Sequence, residues 1–246
     1  MEFYESISNN YDHIFPPNPG QVKFIMHFTD QYSSPTKLLD VGCATGSLAL
    51  ALAEKNVSVW AFDYNAEMVK LAHIKMQRPE LTKYPVFEQL DMRIIDQHYQ
   101  LASFNLLACF GNTLVHLLTD KEILQFLMAA HAVLQKDGKI LIQILNYDYI
   151  FSEKIKSLPL IDNEHIRFER FYNYPDDATY LDFKTKLTIK SSGKQIINCV
   201  RLNPVTKNKM EQVLIKARFQ NIQFFGDFNC GPLQSNSLPL IVSAVK

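Results

Sequence analysis

The stretch Leu38-Leu39-Asp40-Val41-Gly42-Cys43-Ala44-Thr45-Gly46 constrains the fold of this chain more than any other. An apolar run of strand length enters a turn carrying two glycines, and the turn opens Ser47-Leu48-Ala49-Leu50-Ala51-Leu52-Ala53-Glu54, a run of good helix formers. Strand, tight turn and helix N-terminus aim backbone N–H groups at one spot, where a nucleotide-like ligand is expected. Gly42 and Gly46 let the main chain approach that ligand, since no Cβ intervenes. Spacing narrows the choice. The dinucleotide pattern G-x-G-x-x-G is broken, because its positions hold Gly42, Ala44 and Ser47, and no phosphate loop ending in Gly-Lys-Ser/Thr is present.

A second apolar run, Val57 to Phe62, ends in Asp63, about 20 residues beyond the glycine turn. A carboxylate at that place accepts hydrogen bonds from both hydroxyls of a ribose, and Tyr64 follows it. The competing role for Asp63 is to cap the helix expected over Asn65 to Gln77. Met68, one turn into that helix, reads as core, with packing on an adenine face as the alternative. Pro85 to Met92 is a third strand that ends in an acid, Asp91. Phe104 to Phe110 is a fourth and almost wholly apolar, as a strand covered on both faces should be. Gly111-Asn112-Thr113 follows. Thr119-Asp120-Lys121-Glu122 opens a helix with Ile123, Leu124, Leu127, Ala130 and Leu134 on one face, Asp137-Gly138 closes it, and Lys139 to Asn146 forms a fifth strand. Strands alternating with helices from residue 37 to 146 demand an α/β, doubly wound, mostly parallel sheet, whose ligands sit beyond the carboxyl ends of the strands.

Asp40, Gly42, Ala44 and Gly46 resemble the first motif of class I S-adenosylmethionine-dependent methyltransferases, with alanine in place of the middle glycine. The resemblance narrows to the glycine and sarcosine N-methyltransferase branch, on Gly111-Asn112-Thr113 with His116, on Asn146-Tyr147-Asp148-Tyr149-Ile150 and on Gly226-Asp227-Phe228. It implies a seven-stranded sheet with the last strand antiparallel and S-adenosylmethionine as cofactor, leaving as S-adenosylhomocysteine. Asp40, Gly42, Cys43, Gly46, Asp63, Tyr64, Met68, Asp91, Met92 and Phe110 are the cofactor residues it points to, with Asp91 and Met92 on the adenine. It also implies that Asn146 contacts the methyl acceptor. That branch has His-Arg before this asparagine where the present chain has Ile144-Leu145, so a basic residue beside the acceptor is lost and glycine itself is put in doubt. Tyr11, Asn112, His116, Asn146 and Tyr147 are the acceptor-side candidates. Among them His116 is a base candidate, with helix capping or packing the competing role. Arg167 or Arg170 would hold an anionic group, or else form a solvated hairpin face.

Residues 1 to 17 are aromatic-rich, with Phe3, Tyr4, Tyr11 and Phe15, and read equally as a core-packing arm or a lid. A helix is expected from Asn18 to Gln31, stopped by Ser33-Ser34-Pro35. Residues 151 to 202 break the α/β rhythm. Ile166, Phe168, Arg170, Tyr172 and Tyr174, then Leu181, Phe183, Thr185, Leu187 and Ile189, alternate with polar or exposed-type neighbours, and Pro175-Asp176-Asp177 and Ser191-Ser192-Gly193 supply turns. A three-stranded antiparallel insert over 151–202 is expected at the pocket mouth, with a contact between copies in a homo-oligomer as its alternative role. The cofactor-binding domain would then comprise 1–150 and 203–246, the latter with a helix from Val205 to Phe219 and strands Ile222 to Phe228 and Ser237 to Val245.

Lys plus Arg and Asp plus Glu number 25 each, so a polyanion such as nucleic acid gains little attraction. Cys43, Cys109, Cys199 and Cys230 are far apart, which suggests neither zinc nor disulfides and a reducing, cytoplasmic setting. No apolar window reaches membrane-spanning length, and the first residues carry acids rather than the features of a signal peptide. A nicotinamide-dependent oxidoreductase and a non-catalytic S-adenosylmethionine-binding protein are the rival functions. The expected partner is a small-molecule methyl acceptor.

Overall fold

The structure is a computed structural model that describes residues 2–32, 35–77, 84–174 and 180–246. The turns expected at Ser33-Ser34 and Pro175-Asp176-Asp177 lie outside these residues. The chain begins with α1 (Glu2–Ile7), a short 3-10 turn, α2 (Tyr11–Ile14) and α3 (Pro19–Thr29). There follow β1 (Lys37–Val41), α4 (Ser47–Ala53), β2 (Ser58–Asp63), α5 (Ala66–Met76), β3 (Val86–Gln89), α6 (Ile95–His98), β4 (Phe104–Cys109), α7 (Asp120–Val133), β5 (Leu134–Leu145) and α8 (Tyr147–Ser152). A second sheet contains β6 (Ile161–Asp162), β7 (Ile166–Asn173), β8 (Leu181–Ile189) and β9 (Gln195–Leu202). The chain then returns to the first sheet through α9 (Lys207–Lys216), β10 (Gln220–Phe225) and β11 (Pro239–Val245).

The main sheet has seven strands in the order β10-β11-β5-β4-β1-β2-β3. β1 pairs in parallel with both β2 and β4, and β11 runs antiparallel between β5 and β10. The chain winds away from β1 in both directions, so the crevice falls beyond the ends of β1 and β4. Period-two alternation sorts the two faces. Leu39, Val41 and Leu107 pack with α7 and α9, whereas Leu38, Leu106 and Ala108 pack with α3, α4 and α5. Every residue of β4 is buried.

Helix starts follow the caps written in the sequence. Asn18 accepts from the Gly20 N–H at 2.9 Å, and Thr119 with Glu122 forms a reciprocal capping box. Asn65 caps α5 by accepting from Glu67 and Met68 N–H. That assignment removes the competing role of Asp63.

Two expectations need correction. α7 ends at Val133 and β5 already begins at Leu134, so Asp137-Gly138 lies inside a strand. There Asp137 takes φ +61° and the β4–β5 register slips between Phe104 and Leu106. Gly138 is needed because a Cβ would sit 2.8 Å from the Gln135 carbonyl. The second sheet has four strands, not three, since the two-residue β6 is too short to leave a periodic signal.

α1 and α2 dock on this second sheet. Phe3, Ile7 and Ile14 form a cluster with Ile166, Phe168 and Leu187.

Candidate active site

A cavity of about 1300 Å³ lies beyond the carboxyl ends of β1, β2 and β4. The glycine turn is its floor. Phe3, Tyr4 and Tyr11 of the arm roof it, and Arg170, Tyr172 and Phe183 of the second sheet form its far wall. The arm is therefore both core and cover.

Gly42 has φ +73°, and a Cβ there would come within 2.5 Å of the Thr113 side chain. Glycine is thus required where the turn passes the β4 loop. Ala44 adopts φ +47° and donates its N–H to Asp63 Oδ2 at 2.9 Å, while Asp63 Oδ1 accepts from Asn65 N–H at 2.9 Å. A carboxylate has about four lone-pair sites, so Asp63 is held rigidly with acceptor capacity left for a hydroxyl group. Burial raises its pKa, and the Asn65, Ala44 and Tyr64 N–H groups oppose that rise. Asp40 is 3% exposed and its Oδ2 has no hydrogen-bond partner. Burial, helped by Asp63, pushes its carboxyl up to about 7. A cradle that excludes Cβ atoms, an orphaned buried carboxylate oxygen and a fixed ribose-type acid together fit the ribose and cationic amino-acid portions of S-adenosylmethionine.

The third acid is more heavily engaged than the sequence suggested. Asp91 accepts from Arg93 Nε at 3.1 Å and from Nη2 at 2.6 Å, and Arg93 continues to Glu122 at 2.6 Å. The hydrogen-bonded guanidinium holds the Asp91 carboxyl below its usual range. Asp91, Met92, Tyr64, Phe110, Cys43 and the deeply buried Met68 all line the cavity. Burial raises the Cys43 thiol pKa, so Cys43 contributes as a neutral apolar wall.

Gly46 is the exception among the cofactor candidates. It is not part of the lining, and a Cβ there would meet Phe87 at 2.6 Å and Ala72 at 2.9 Å. This glycine permits close packing of α4 against β3 and α5.

On the acceptor side, Tyr11, Asn112, His116 and Arg170 reach the cavity. Asn146 and Tyr147 lie behind the lining. The Asn146 side chain caps α8 at Tyr149 N–H and donates to the Ser237 carbonyl, and Tyr147 is fully buried. Asn112 donates to the Tyr147 hydroxyl at 3.2 Å and accepts from Leu145 N–H at 3.0 Å, so its amide pins the β4 loop to the end of β5. Arg167 lies outside this lining and pairs with Asp162.

Two contacts had no sequence signature. The Tyr4 hydroxyl lies 2.7 Å from His116 Nε2. Burial lowers the His116 pKa to about 4 and raises that of Tyr4, so both are neutral and the more acidic phenol is the natural donor. The second contact is a clasp under the arm. Asp12 accepts from Thr45 Oγ1 at 2.6 Å and pairs with Lys75 at 2.5 Å, and Lys75 also donates to Thr45 at 2.7 Å and Ser47 at 3.0 Å. Aromatic content marked the arm, but nothing in its spacing could identify partners 33 to 112 residues away.

The chain is similar to known proteins in sequence and in fold. A family described as "Methyltransferase domain" matches residues 38–138, the segment from β1 to the middle of β5. The glycine/sarcosine N-methyltransferase of Aphanothece halophytica is 26% identical over 192 residues, covering 78% of this chain and 69% of the relative. An S-adenosylmethionine-dependent methyltransferase from Clostridium acetobutylicum superposes with TM-score 0.80 at 17% identity over 98% of both chains. The S-adenosylmethionine-bound amino pentose methyltransferase CalS10 of Micromonospora echinaspora gives 0.65 at 14% identity, covering 99% of this chain and 97% of that one. The low identities to the solved structures establish the fold, and the sequence matches add the chemistry. The glycine turn, the acid that ends β2, the antiparallel seventh strand and these matches together support a class I S-adenosylmethionine-dependent methyltransferase.

Proposed function

We propose that the enzyme methylates a small-molecule amine, with catalysis chiefly by positioning in a dry cavity. The observation that carries this reading is the Tyr4–His116 pair at 2.7 Å in the wall of the cavity that also holds the cofactor-side acids. The Aphanothece halophytica relative and CalS10 both bear names of enzymes that act on amino compounds, which supports the same acceptor class.

Asp40, Gly42, Cys43, Asp63, Tyr64, Met68, Asp91, Met92 and Phe110 would hold S-adenosylmethionine. When bound, it supplies a methyl group on a cationic sulfur, an excellent leaving group. The protein has to hold the acceptor atom about 3 Å from that methyl and in line with the C–S bond. Apolar roofing by Phe3 and Tyr11 excludes water and lowers the pKa of an amine placed there, leaving it with a free lone pair. The Tyr4 hydroxyl donates to His116 Nε2, so its oxygen is left to accept an N–H of the acceptor. That bond orients the nitrogen lone pair toward the methyl group, and the ammonium product carries its proton away on release. Asn112, braced by Tyr147, shapes the turn beside the acceptor, and Asn146 and Tyr147 act as positioning residues. The 151–202 insert serves as the acceptor wall.

Calorimetric titration with S-adenosylmethionine, S-adenosylhomocysteine and NADH, followed by mass spectrometry of panels of amines, alcohols and thiols incubated with S-adenosylmethionine, tests the proposal. Expected are micromolar affinities for the first two ligands, no heat from NADH, and a gain of one methyl on amines alone. Methylation confined to alcohols or thiols would overturn the amine assignment.

A further inference from the structure

Arg170 stands at a junction. With Leu158 it lines the main cavity, and the same two side chains line a second groove of about 660 Å³ on the other side of β7. Its Nη2 donates to the Pro159 carbonyl at 2.6 Å, but its buried Nε has no partner. Arg93, Arg167 and Arg201 each face a carboxylate, whereas Arg170 has no ion-pair partner among the described residues. A half-buried guanidinium without a counter-charge is costly unless an anion completes it. Tyr172, two residues along the same strand face, lines the main cavity with its hydroxyl beside that of Tyr147, and the Thr185 hydroxyl, directly opposite Arg170 in the β7–β8 ladder, is buried behind the lining. A guanidinium with a free N–H matches a single carboxylate. A phosphate dianion would leave more charge uncompensated and would face Asp40 and Asp63 across the cavity.

The groove beyond Arg170 is apolar at its mouth. Leu160 is 49% exposed and Phe171 43% exposed, and both line it together with Leu238. A main cavity of about 1300 Å³ already exceeds the ~300–1,000 Å³ usual for one ligand. An acceptor of glycine's size would use neither the spare volume nor the groove.

Resting on the amine reading above, we infer that the acceptor is an amino acid with a bulky apolar side chain, or a similar amphiphilic amino acid. Its carboxylate sits on Arg170, and its apolar body passes Leu158 into the second groove. Arg170 and Leu158 would then set specificity, one by charge and the other by the width of the passage.

The test uses the intact protein saturated with S-adenosylhomocysteine, titrated with L-phenylalanine, glycine, phenethylamine and 3-phenylpropionate. L-Phenylalanine is expected to bind at least tenfold more tightly than glycine or phenethylamine. Arg170→Leu should weaken L-phenylalanine and 3-phenylpropionate at least tenfold while the S-adenosylhomocysteine affinity, read on the same sample, stays within twofold and verifies the fold. Leu158→Trp should weaken L-phenylalanine and spare glycine. If glycine matches L-phenylalanine, if phenethylamine matches it, or if no carboxylate binds in an Arg170-dependent way, the inference is overturned. Arg170-dependent binding of 3-phenylpropionate, with no binding by any amine, would instead retain the carboxylate site and remove the amine reading.

Discussion

Asp63 shows how much one side chain can be asked to do. It was legible from its place at a strand end, but the sequence could not show that both its oxygens also brace the main chain at Ala44 and Asn65. Asp63→Asn would put an amide N–H against one of those donors. Besides losing affinity for S-adenosylhomocysteine by roughly 2–4 kcal/mol, the variant should therefore lose about 1–3 kcal/mol of stability. Calorimetric titration and urea unfolding measure the two losses separately. Asp40 gives a pH signature. Its folded pKa, about 7, lies above the usual carboxylate value, so the folded state holds the extra proton. Its contribution is intact below about pH 4 and is lost as pH rises toward 7, on the order of 4 kcal/mol in all. Urea unfolding of the ligand-free protein between pH 4 and 8 should show this decline, and Asp40→Asn should flatten it. Tyr4→Phe keeps the ring packed on Phe3 while removing the hydroxyl. A fall of about ten- to a hundredfold in kcat is expected, with a stability change near 1 kcal/mol. Because burial holds the His116 pKa of the ligand-free protein at about 4, the acid limb that this residue contributes to kcat/KM should lie near pH 4 and not near 6.5.

At the level of elements, strands and helices of the main sheet could be read because each carries its own pattern. β1, β2 and β4 announce themselves by apolar runs, and α3, α5 and α7 by their caps. Where the reading missed, the deciding interaction was distant. Gly46 is dictated by Phe87 and Ala72, and β6 by its ladder to β7. The bond from the Asn146 amide to the Ser237 carbonyl is likewise set by a residue far along the chain. The clasp formed by Asp12, Lys75, Thr45 and Ser47 couples α2 and α5 to the glycine turn, so the arm's position and the cofactor floor are set together. Its ion pair is partly exposed, with side-chain accessibilities of 39% for Asp12 and 23% for Lys75. Lys75→Met should therefore weaken S-adenosylhomocysteine by no more than about 1 kcal/mol, mainly through faster release. In stopped-flow displacement, 1 M salt should speed release from the parent protein and have less effect on the variant.

Across the whole molecule, the second sheet and the arm share a small core apart from the two faces of the main sheet. Phe168 is fully buried at its centre. Phe168→Ala should cost about 3–5 kcal/mol, and the loss should fall on acceptor turnover more than on S-adenosylhomocysteine affinity, since the glycine turn, Asp63 and Asp91 belong to the other core. Thermal unfolding and the two assays would reveal that split. The neutral overall charge agrees with a small partner, because no broad field steers a polyanion to the surface.

The placement of β11 between β5 and β10 carries a cost during synthesis. β5 is complete at Leu145, but the strand that covers its open edge begins only at Pro239. While the ribosome makes the intervening chain, β5 presents unpaired backbone groups beside Ile140, Ile142 and Ile144, the kind of edge on which a second nascent chain can add a strand. Slow translation of this region, or a lack of chaperone cover, should therefore lower the soluble yield more than the stability of the finished protein would suggest.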